Sequence, residues 1–366
     1  MPSAHHKKTI CFFNSAKTWG GGEKWHYETA LLLQQNGFDV LFIASPGSAL
    51  HAKLTSTIRC ITLGVGNLSF LNPFKIIRLK NILQKNDVQS IIINLPSDLK
   101  LAGLSSKLAK IKRIIYRRGS AIPVKNRILN RFYFGYILTD VLANSEATKG
   151  TILQNNQQLF PAAKIKVIYN LVNMQEFTQR KYKTVYTKKD NELVLGNIGR
   201  LVPQKNQRFL IDVAAVLKSK NVPFKLLIAG EGSLKTELED YAKEEGVLNE
   251  IFFTGFMDNV KDLLMSCDVF LLPSLWEGFG YVLAEAAMCK KPIIAFDVSS
   301  NPELMINNET GFLSPVNDVE AFLNKIFILQ EHPQRAIEFG NNGFQFIKEK
   351  FAADKIEIQL LDYLSL

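Results

Sequence analysis

LVLGNIGRLVPQKNQRFLIDVAAVLKSKNVPFKLLIAG, residues 193–230, is the stretch on which the fold turns. An apolar strand over 193–199 runs into a glycine turn. A helical stretch over 206–218 follows, and a second apolar strand, 224–230, ends on another glycine. A strand, a helix and a second strand predict a parallel pair, because parallel neighbours need a crossover rather than a tight turn. The pattern continues downstream. Helices are expected over 234–245 and 260–266 and from about Gly280, with strands in EIFFTG (250–255), DVFLLP (268–273) and PIIAF (292–296). NNETGFLSP (307–315) reads as a turn, and helical stretches after Val319 close the chain.

Upstream the same alternation recurs. Strands are expected at 9–13, 38–44, 57–63, 90–94, 113–116, 141–143 and 166–169, with a helix over 24–35 and helical patterns between most of the rest. The fold class is therefore α/β, with two doubly wound, Rossmann-like sheets. A chain of 366 residues suits two domains at about 150 residues each. The expected divisions are 1–175, 176–340 and a helical tail, 341–366, that packs back on the first domain. The join falls in the polar stretch 171–191.

Composition narrows the classes. A hydrophobic share of 47% with 21% charged residues excludes a disordered chain, and the glycines show no collagen period. Cys11, Cys60, Cys267 and Cys289 are far apart with no C-x-x-C pair, which argues against a zinc ribbon or disulfide scaffold and for a reducing compartment. No 18 consecutive residues are apolar, and the first apolar run stops at Asn14. Neither a membrane span nor a secretory signal is expected, so the location is read as cytoplasmic.

The net charge of +10 is unevenly spread. Residues 1–180 hold 24 Lys/Arg against 8 Asp/Glu; residues 181–366 hold 20 against 26. No acid lies between Asp98 and Asp140, where ten bases do. Such a field attracts an anionic partner. Without finger spacing, stacking motifs or heptads, nucleic acid is excluded. The remaining choices are a solvated basic face, an anionic acceptor, or the anionic inner face of the cytoplasmic membrane.

The most specific string is LLPSLWEGFGYVLAEAA, 271–287. Ligands of open α/β sheets sit beyond the carboxyl ends of the strands, where Pro273–Gly280 falls. Gly278 and Gly280 permit close backbone approach, and the amides opening the next helix suit phosphate. Glu277 would reach a sugar hydroxyl. Glu285, inside an apolar run where an unpartnered carboxylate is costly, would accept from a diol. Taken alone, two glutamates eight apart also fit an exposed loop and a solvated helix. In GNIGRLVPQKN, Arg200 and Lys205 flank a strand end and a helix start, as cations that clamp a diphosphate would. Gly230 in AGEGS marks another strand-to-helix turn. Surface cations and a plain turn are the competing readings.

In the first half, WGGGEKW (19–25) reads as a strand-to-helix loop whose glycines allow close approach. It is not G-x-G-x-x-G, and no acid sits near the end of the second strand, so a nicotinamide dehydrogenase is rejected. Asn94 and Asp98, beyond another strand end, would face an acceptor, and Asn170 would line the cleft. Asn144, Ser145 and Glu146 read as a helix cap.

GRLVPQKN, AGEGS, PSLWEGFGYVLAEA and TGFLSPVND together resemble the nucleotide-sugar-binding half of the retaining glycosyltransferases of family 4, which have the GT-B architecture. GGGE (20–23), ANSEAT (143–148) and VIYNLVN (167–173) resemble the same family. The resemblance implies a nucleotide-diphosphate sugar as donor substrate, no cofactor and no metal, and the chain has no D-x-D pair. It implies that Glu285 holds ribose hydroxyls and Glu277 sugar hydroxyls. Arg200 and Lys205 would then hold the diphosphate, with the amides of Gly278, Phe279 and Gly280 near donor phosphate or sugar. Gly21 and Gly22 would meet the donor phosphate from the first domain. Many members place a histidine after the strand at 113–116. Here IIYRRGSAIP puts Arg117 or Arg118 there, and none of His5, His6, His26, His51 and His332 stands at a suitable strand end. A guanidinium suits an acceptor or donor sugar that carries negative charge. The implied acceptor is an anionic or lipid-linked saccharide of a bacterial envelope, such as lipopolysaccharide core or a surface polysaccharide. A nucleotide-sugar epimerase and a non-catalytic anion-binding protein are the competing functions.

Overall fold

The computed structural model describes residues 9–54 and 57–365. His5, His6 and the last residue of the expected tail lie outside them. The first sheet consists of β1 (Thr9–Asn14), β2 (Asp39–Ala44), β3 (Arg59–Thr62), β4 (Val88–Ile93), β5 (Arg113–Arg118), β6 (Asp140–Ala143) and β7 (Ile165–Val167). The second consists of β8 (Leu193–Ile198), β9 (Phe224–Ala229), β10 (Ile251–Gly255), β11 (Val269–Leu272), β12 (Ile293–Phe296) and β13 (Gly311–Ser314). Their orders are β3-β2-β1-β4-β5-β6-β7 and β10-β9-β8-β11-β12-β13. Every pairing between these strands is parallel. These are two Rossmann-like sheets, and the order reverses between β1 and β4 and again between β8 and β11.

TICFFN in β1 and LVLGNI in β8 are buried along their whole length, as strands covered by helices on both faces must be. Phe13, Ile91, Ile93 and Phe134 belong to the first core. In the second, Phe209, Phe296 and Phe322 meet edge to face at centroid distances of 4.8, 5.1 and 5.8 Å. Helix starts follow local chemistry. Asn72 accepts from the Lys75 amide at the start of Pro73–Lys85, and Ser145 accepts from the Thr148 amide at the start of Glu146–Leu153.

Three features differ from the sequence reading. The first helix spans Gly21–Gln35, so Gly21 and Gly22 form its first turn rather than a loop. GFLS, read within a turn, is strand β13, drawn into the sheet by pairing Gly311 to Ser314 with Ile293 to Phe296. The polar stretch read as the join is laced to its own unit. The buried Lys261 ammonium donates to the carbonyls of Phe177, Thr178 and Arg180 at 3.3, 2.6 and 2.8 Å, and Val185 N–H donates to Ser266 at 2.9 Å.

Contacts divide the chain into two compact units, one reaching Asn170 and resuming at Ile356, the other spanning Leu171–Lys355. The resumption is visible in the last helix, Ala353–Ser365. Arg113 at the start of β5 donates to the Tyr363 carbonyl at 2.6 Å and lies 4.7 Å over the Tyr363 ring. No helix of the described residues is long and apolar enough to cross a membrane.

Candidate active site

In the second unit the site begins where the sheet order reverses. Asn197, near the end of β8, donates through its amide to the Leu271 carbonyl of β11 at 2.8 Å, holding the two strand ends side by side. The loops that follow are clasped in three places. Leu275 N–H donates to the Gln204 carbonyl and Gln204 Nε2 to the Trp276 carbonyl, both at 2.8 Å. Lys205 Nζ donates to Glu277 Oε1 at 2.5 Å, in an ion pair whose side chains are 11% and 7% exposed.

The backbone is shaped to permit this. A Cβ on Gly199 would stand 3.3 Å from Lys205 Cδ, so the lysine stem lies across bare glycine backbone. Gly230, after β9, has φ +140°, and a Cβ there would overlap the Gly199 carbonyl oxygen. Asn206 takes the left-handed conformation, φ 53° and ψ 41°, between Lys205 and the helix Gln207–Ser219. Arg200 is exposed in the same loop, while its carbonyl accepts from Gln207 Nε2 at 3.1 Å. Beyond Glu277, Gly280 (φ +83°) turns the chain into the helix Tyr281–Met288, on which Glu285 is half-buried. Phe279 is buried, edge-on to Tyr281 and Phe351 at 5.4 and 5.5 Å.

These positions thus follow β8, β9 and β11 at one edge of one sheet. Lys205 and Glu277, assigned separately from sequence to phosphate and sugar, form one ion pair. The arrangement offers a cation, a carboxylate acceptor, an exposed guanidinium and a helix N-terminus, which suits an anion joined to a polyhydroxyl group.

The first unit is also clasped at its point of reversal, by different groups. Asp98, in the first turn of Pro96–Leu108, accepts from Ser15 N–H at 3.0 Å and from Ser15 Oγ. Its carboxyl is fully buried, and that burial pushes its pKa up to about 6 against the Ser15 bonds. Asp98 therefore does not face an acceptor as its sequence position suggested: it ties the loop after β1 to the helix after β4. Asn94 sits beside it in the sequence but reaches elsewhere. Its Nδ2 donates to Glu23 Oε1 at 3.3 Å, as does that of Asn14 at 3.4 Å, and a Cβ on Gly22 would touch it at 3.0 Å. Glu23 is a buried carboxylate that the sequence reading left without a role, though it stands in the quoted GGGE.

Arg117 ends up inside rather than on a basic surface. Its guanidinium lies 4.8 Å over the Trp25 ring and donates to Asn170 Oδ1 at 2.9 Å, with both residues about 2% exposed. Arg118 points to the Ile122 carbonyl. A histidine is close by after all, delivered by a helix and not by a strand end. His26 packs against Trp25, Phe12 and Phe42 at 5.3, 5.5 and 6.2 Å, and both its ring nitrogens lack hydrogen-bond partners. Burial, and then the Arg117 charge, hold its pKa well below the usual histidine value. Among the described residues no three His, Cys, Asp or Glu side chains are grouped to hold a metal ion.

Comparison with known proteins places both halves. The family described as Glycosyltransferase Family 4 matches residues 19–176, and Glycosyl transferases group 1 matches 178–346. The chain is 24% identical, over 99% of both chains, to the UDP-Gal:alpha-D-GlcNAc-diphosphoundecaprenol alpha-1,3-galactosyltransferase of Escherichia coli. It is 25% identical, over 80% of both, to the N-acetylgalactosamine-N,N'-diacetylbacillosaminyl-diphospho-undecaprenol 4-alpha-N-acetylgalactosaminyltransferase of Campylobacter jejuni. The crystal structure of Anabaena HepE in complex with UDP and glucose shares the fold, with a TM-score of 0.83 at 22% identity over 98% of this chain and 99% of that one.

Proposed function

The chain belongs to the family 4, group 1 glycosyl transferases, and from that premise we propose that it moves a sugar from a nucleotide-diphosphate donor to an anionic or lipid-linked saccharide in surface polysaccharide or lipopolysaccharide synthesis. The observation that carries the donor half is the Lys205–Glu277 pair at the reversal of the second sheet, with Arg200 exposed beside it. Lys205 and Arg200 would meet the diphosphate, and Glu277 the sugar hydroxyls. Glu285 would meet the ribose, with the amides from Gly278 to Gly280 on the phosphates. Gly230 serves by letting the strand ends pack closely.

Transfer proceeds with retention. The bond from the anomeric carbon to the phosphate oxygen breaks, and the bond to the acceptor oxygen forms on the same face. The acceptor proton passes to the departing diphosphate. Cations and amides that face developing negative charge lower the barrier by the largest amount. The relatives named for undecaprenyl-diphosphate acceptors and the excess of positive charge in the first half support a polyanionic, lipid-linked acceptor. A cytoplasmic protein working at the inner membrane face follows from that reading.

Arg117, buried between Asn170 and Trp25 at the end of β5, is proposed to favour a negatively charged acceptor through its field and not by contact. Arg117→Gln should lower kcat/KM for an anionic acceptor by about tenfold more than for a neutral analogue; equal loss on both removes that role. The donor half is tested by thermal shift against UDP-, GDP-, ADP- and CMP-sugars, followed by product analysis with the radiolabelled sugar that stabilises the protein. A labelled disaccharide or glycolipid supports transfer. An epimerised or merely bound donor overturns it.

A further inference from the structure

We propose that Glu23 binds the acceptor: one oxygen of its carboxylate is held by the ends of β1 and β4, and the other, Oε2, accepts a hydrogen bond from a hydroxyl of the acceptor saccharide. The proposal deepens the transferase reading and rests on it for the identity of the ligand.

Three segments of the chain build this carboxylate in. β1 and β4 are parallel neighbours where the first sheet reverses its order, with Phe13 opposite Ile93. Asn14 ends β1 and Asn94 follows β4. The Asn94 N–H donates to the Phe13 carbonyl at 3.3 Å, so the two asparagines leave the carboxyl edge of the sheet side by side. Their side-chain amides converge on a single atom, Glu23 Oε1, at 3.4 and 3.3 Å. Asn14 is itself fixed, its Oδ1 accepting from the Ala16 N–H at 3.0 Å. Glu23 arrives from the first turn of the helix Gly21–Gln35 and is 8% exposed.

Oε2 is left over. Among the described residues it meets no hydrogen-bond donor, although each oxygen of a carboxylate can accept about two. A buried carboxylate with half its accepting capacity unused is destabilising until donors reach it. The glycines before it keep that half open. A Cβ on Gly20 would stand 3.1 Å from Oε2, and apart from its chain neighbours no other described residue comes within 4 Å of that position. Gly20 is extended, φ −165° and ψ −172°, which any residue adopts, so its missing side chain answers to space and not to backbone strain. On the other side a Cβ on Gly22 would press on Asn94 Nδ2 at 3.0 Å. The string GGGE therefore sets a carboxylate in cleared space.

The chemistry of the place selects the ligand. Open α/β sheets take ligands beyond the carboxyl ends of the strands where the order reverses, which is where Asn14, Asn94 and Glu23 meet. A phosphate would bring like charge to Oε2, and Asp98 stands close enough that the Glu23 charge helps to raise its pKa. A neutral hydroxyl donates where an anion is repelled. Asn94, read from sequence as facing an acceptor, thus serves it by orienting the carboxylate.

Two variants test this. Glu23→Gln still offers the asparagine amides an oxygen and turns the open position from acceptor to donor. Gly20→Ala leaves the carboxylate in place and fills the space before Oε2. Both are assayed with the radiolabelled nucleotide sugar that stabilises the protein, on octyl glycosides of glucose, galactose, N-acetylglucosamine and N-acetylgalactosamine and on their monodeoxy analogues. The wild-type chain should lose about 30-fold in kcat/KM on one monodeoxy analogue. Glu23→Gln should lose about the same factor on the parent glycoside and stay within about twofold of wild type on that analogue and in donor KM. Gly20→Ala should raise the KM of the parent glycoside without changing donor KM or Tm, and it decides the matter if Glu23→Gln fails to fold. Undiminished discrimination by Glu23→Gln, or a wild-type acceptor KM in Gly20→Ala, overturns the proposal. So does a loss that falls on donor KM, since the bound hydroxyl would then belong to the donor sugar. Transfer to none of the glycosides by a chain that still consumes the nucleotide sugar overturns it too. A chain that neither binds nor consumes any nucleotide sugar removes the transferase reading itself.

Discussion

The two units close the same topological gap with opposite chemistry. Where the second sheet reverses, its loops are joined by an ion pair, Lys205 to Glu277. Where the first sheet reverses, its loops are joined by Asp98 to a serine, while Glu23 is held by two asparagine amides. A buried ion pair contributes little net stability over apolar packing, because desolvation offsets its attraction. A carboxylate clasped by neutral donors fastens the loops through hydrogen bonds alone, with no countercharge to offset its desolvation. On the proposed function the first of these junctions meets the donor, whereas the second, through Asp98, holds the polypeptide in shape.

Breaking the charged junction should have the largest effect. Glu277→Gln keeps the shape of the side chain and should cut turnover by at least about 100-fold, and it should also lower Tm, because the buried Lys205 ammonium loses its countercharge. Lys205→Met should match that loss and also cost about 3 kcal/mol of stability, because it strands a buried carboxylate. Steady-state transfer assays beside thermal melts separate the two. Wild-type turnover in both variants would make the pair a fastening like Asp98.

The neutral junction should respond to pH instead. The Asp98 carboxyl titrates near about 6 in the folded chain, against 3.8 ordinarily. Folded protein therefore holds a proton that the unfolded chain releases as pH rises through that window, and stability falls by about 2–3 kcal/mol between pH 4 and 6. Asp98→Asn should abolish that slope in urea titrations. His26 acts in the opposite direction. Its folded pKa is lowered, so the unfolded chain binds the extra proton below about pH 6.5 and stability is lost as pH drops. His26→Phe should remove this loss and add about 1 kcal/mol at pH 7 by eliminating two buried, unpartnered nitrogens. If neither variant alters the pH profile, the first junction is not the proton-sensitive one.

An exposed pair sets the lower bound. Arg59 and Asp39 lie 3.0 Å apart with side chains 47% and 42% exposed. Arg59→Gln should cost no more than about 0.5 kcal/mol in the same titrations. A cost near that of Lys205→Met would mean that burial does not distinguish the two pairs.

The strand and helix alternation was legible because fully buried parallel strands are apolar runs, as in TICFFN and LVLGNI. The second unit's loops were legible for a related reason: glycines next to cations and carboxylates stand out between such runs. What escaped depended on contacts far apart in the chain. Ser15 and Asp98 are separated by 83 residues, and nothing local distinguishes a buried aspartate in a helix's first turn from one facing solvent. His26 sits mid-helix, and only the placement of Arg117 and Trp25 makes its surroundings unusual. GFLS follows a turn-forming NNET and is four residues long, so its strand character comes from its neighbour Ile293–Phe296 and not from its own composition.

The return of Ile356 to the first unit has a practical corollary. The first unit is not a contiguous segment of the chain, so dividing the chain near Asn170 yields one fragment missing its closing helix and another bearing a surplus one. Arg113 would then lose the Tyr363 ring and carbonyl that it holds in the intact polypeptide. A faithful excision of the first unit requires residues 356–366 to be spliced back through a tether.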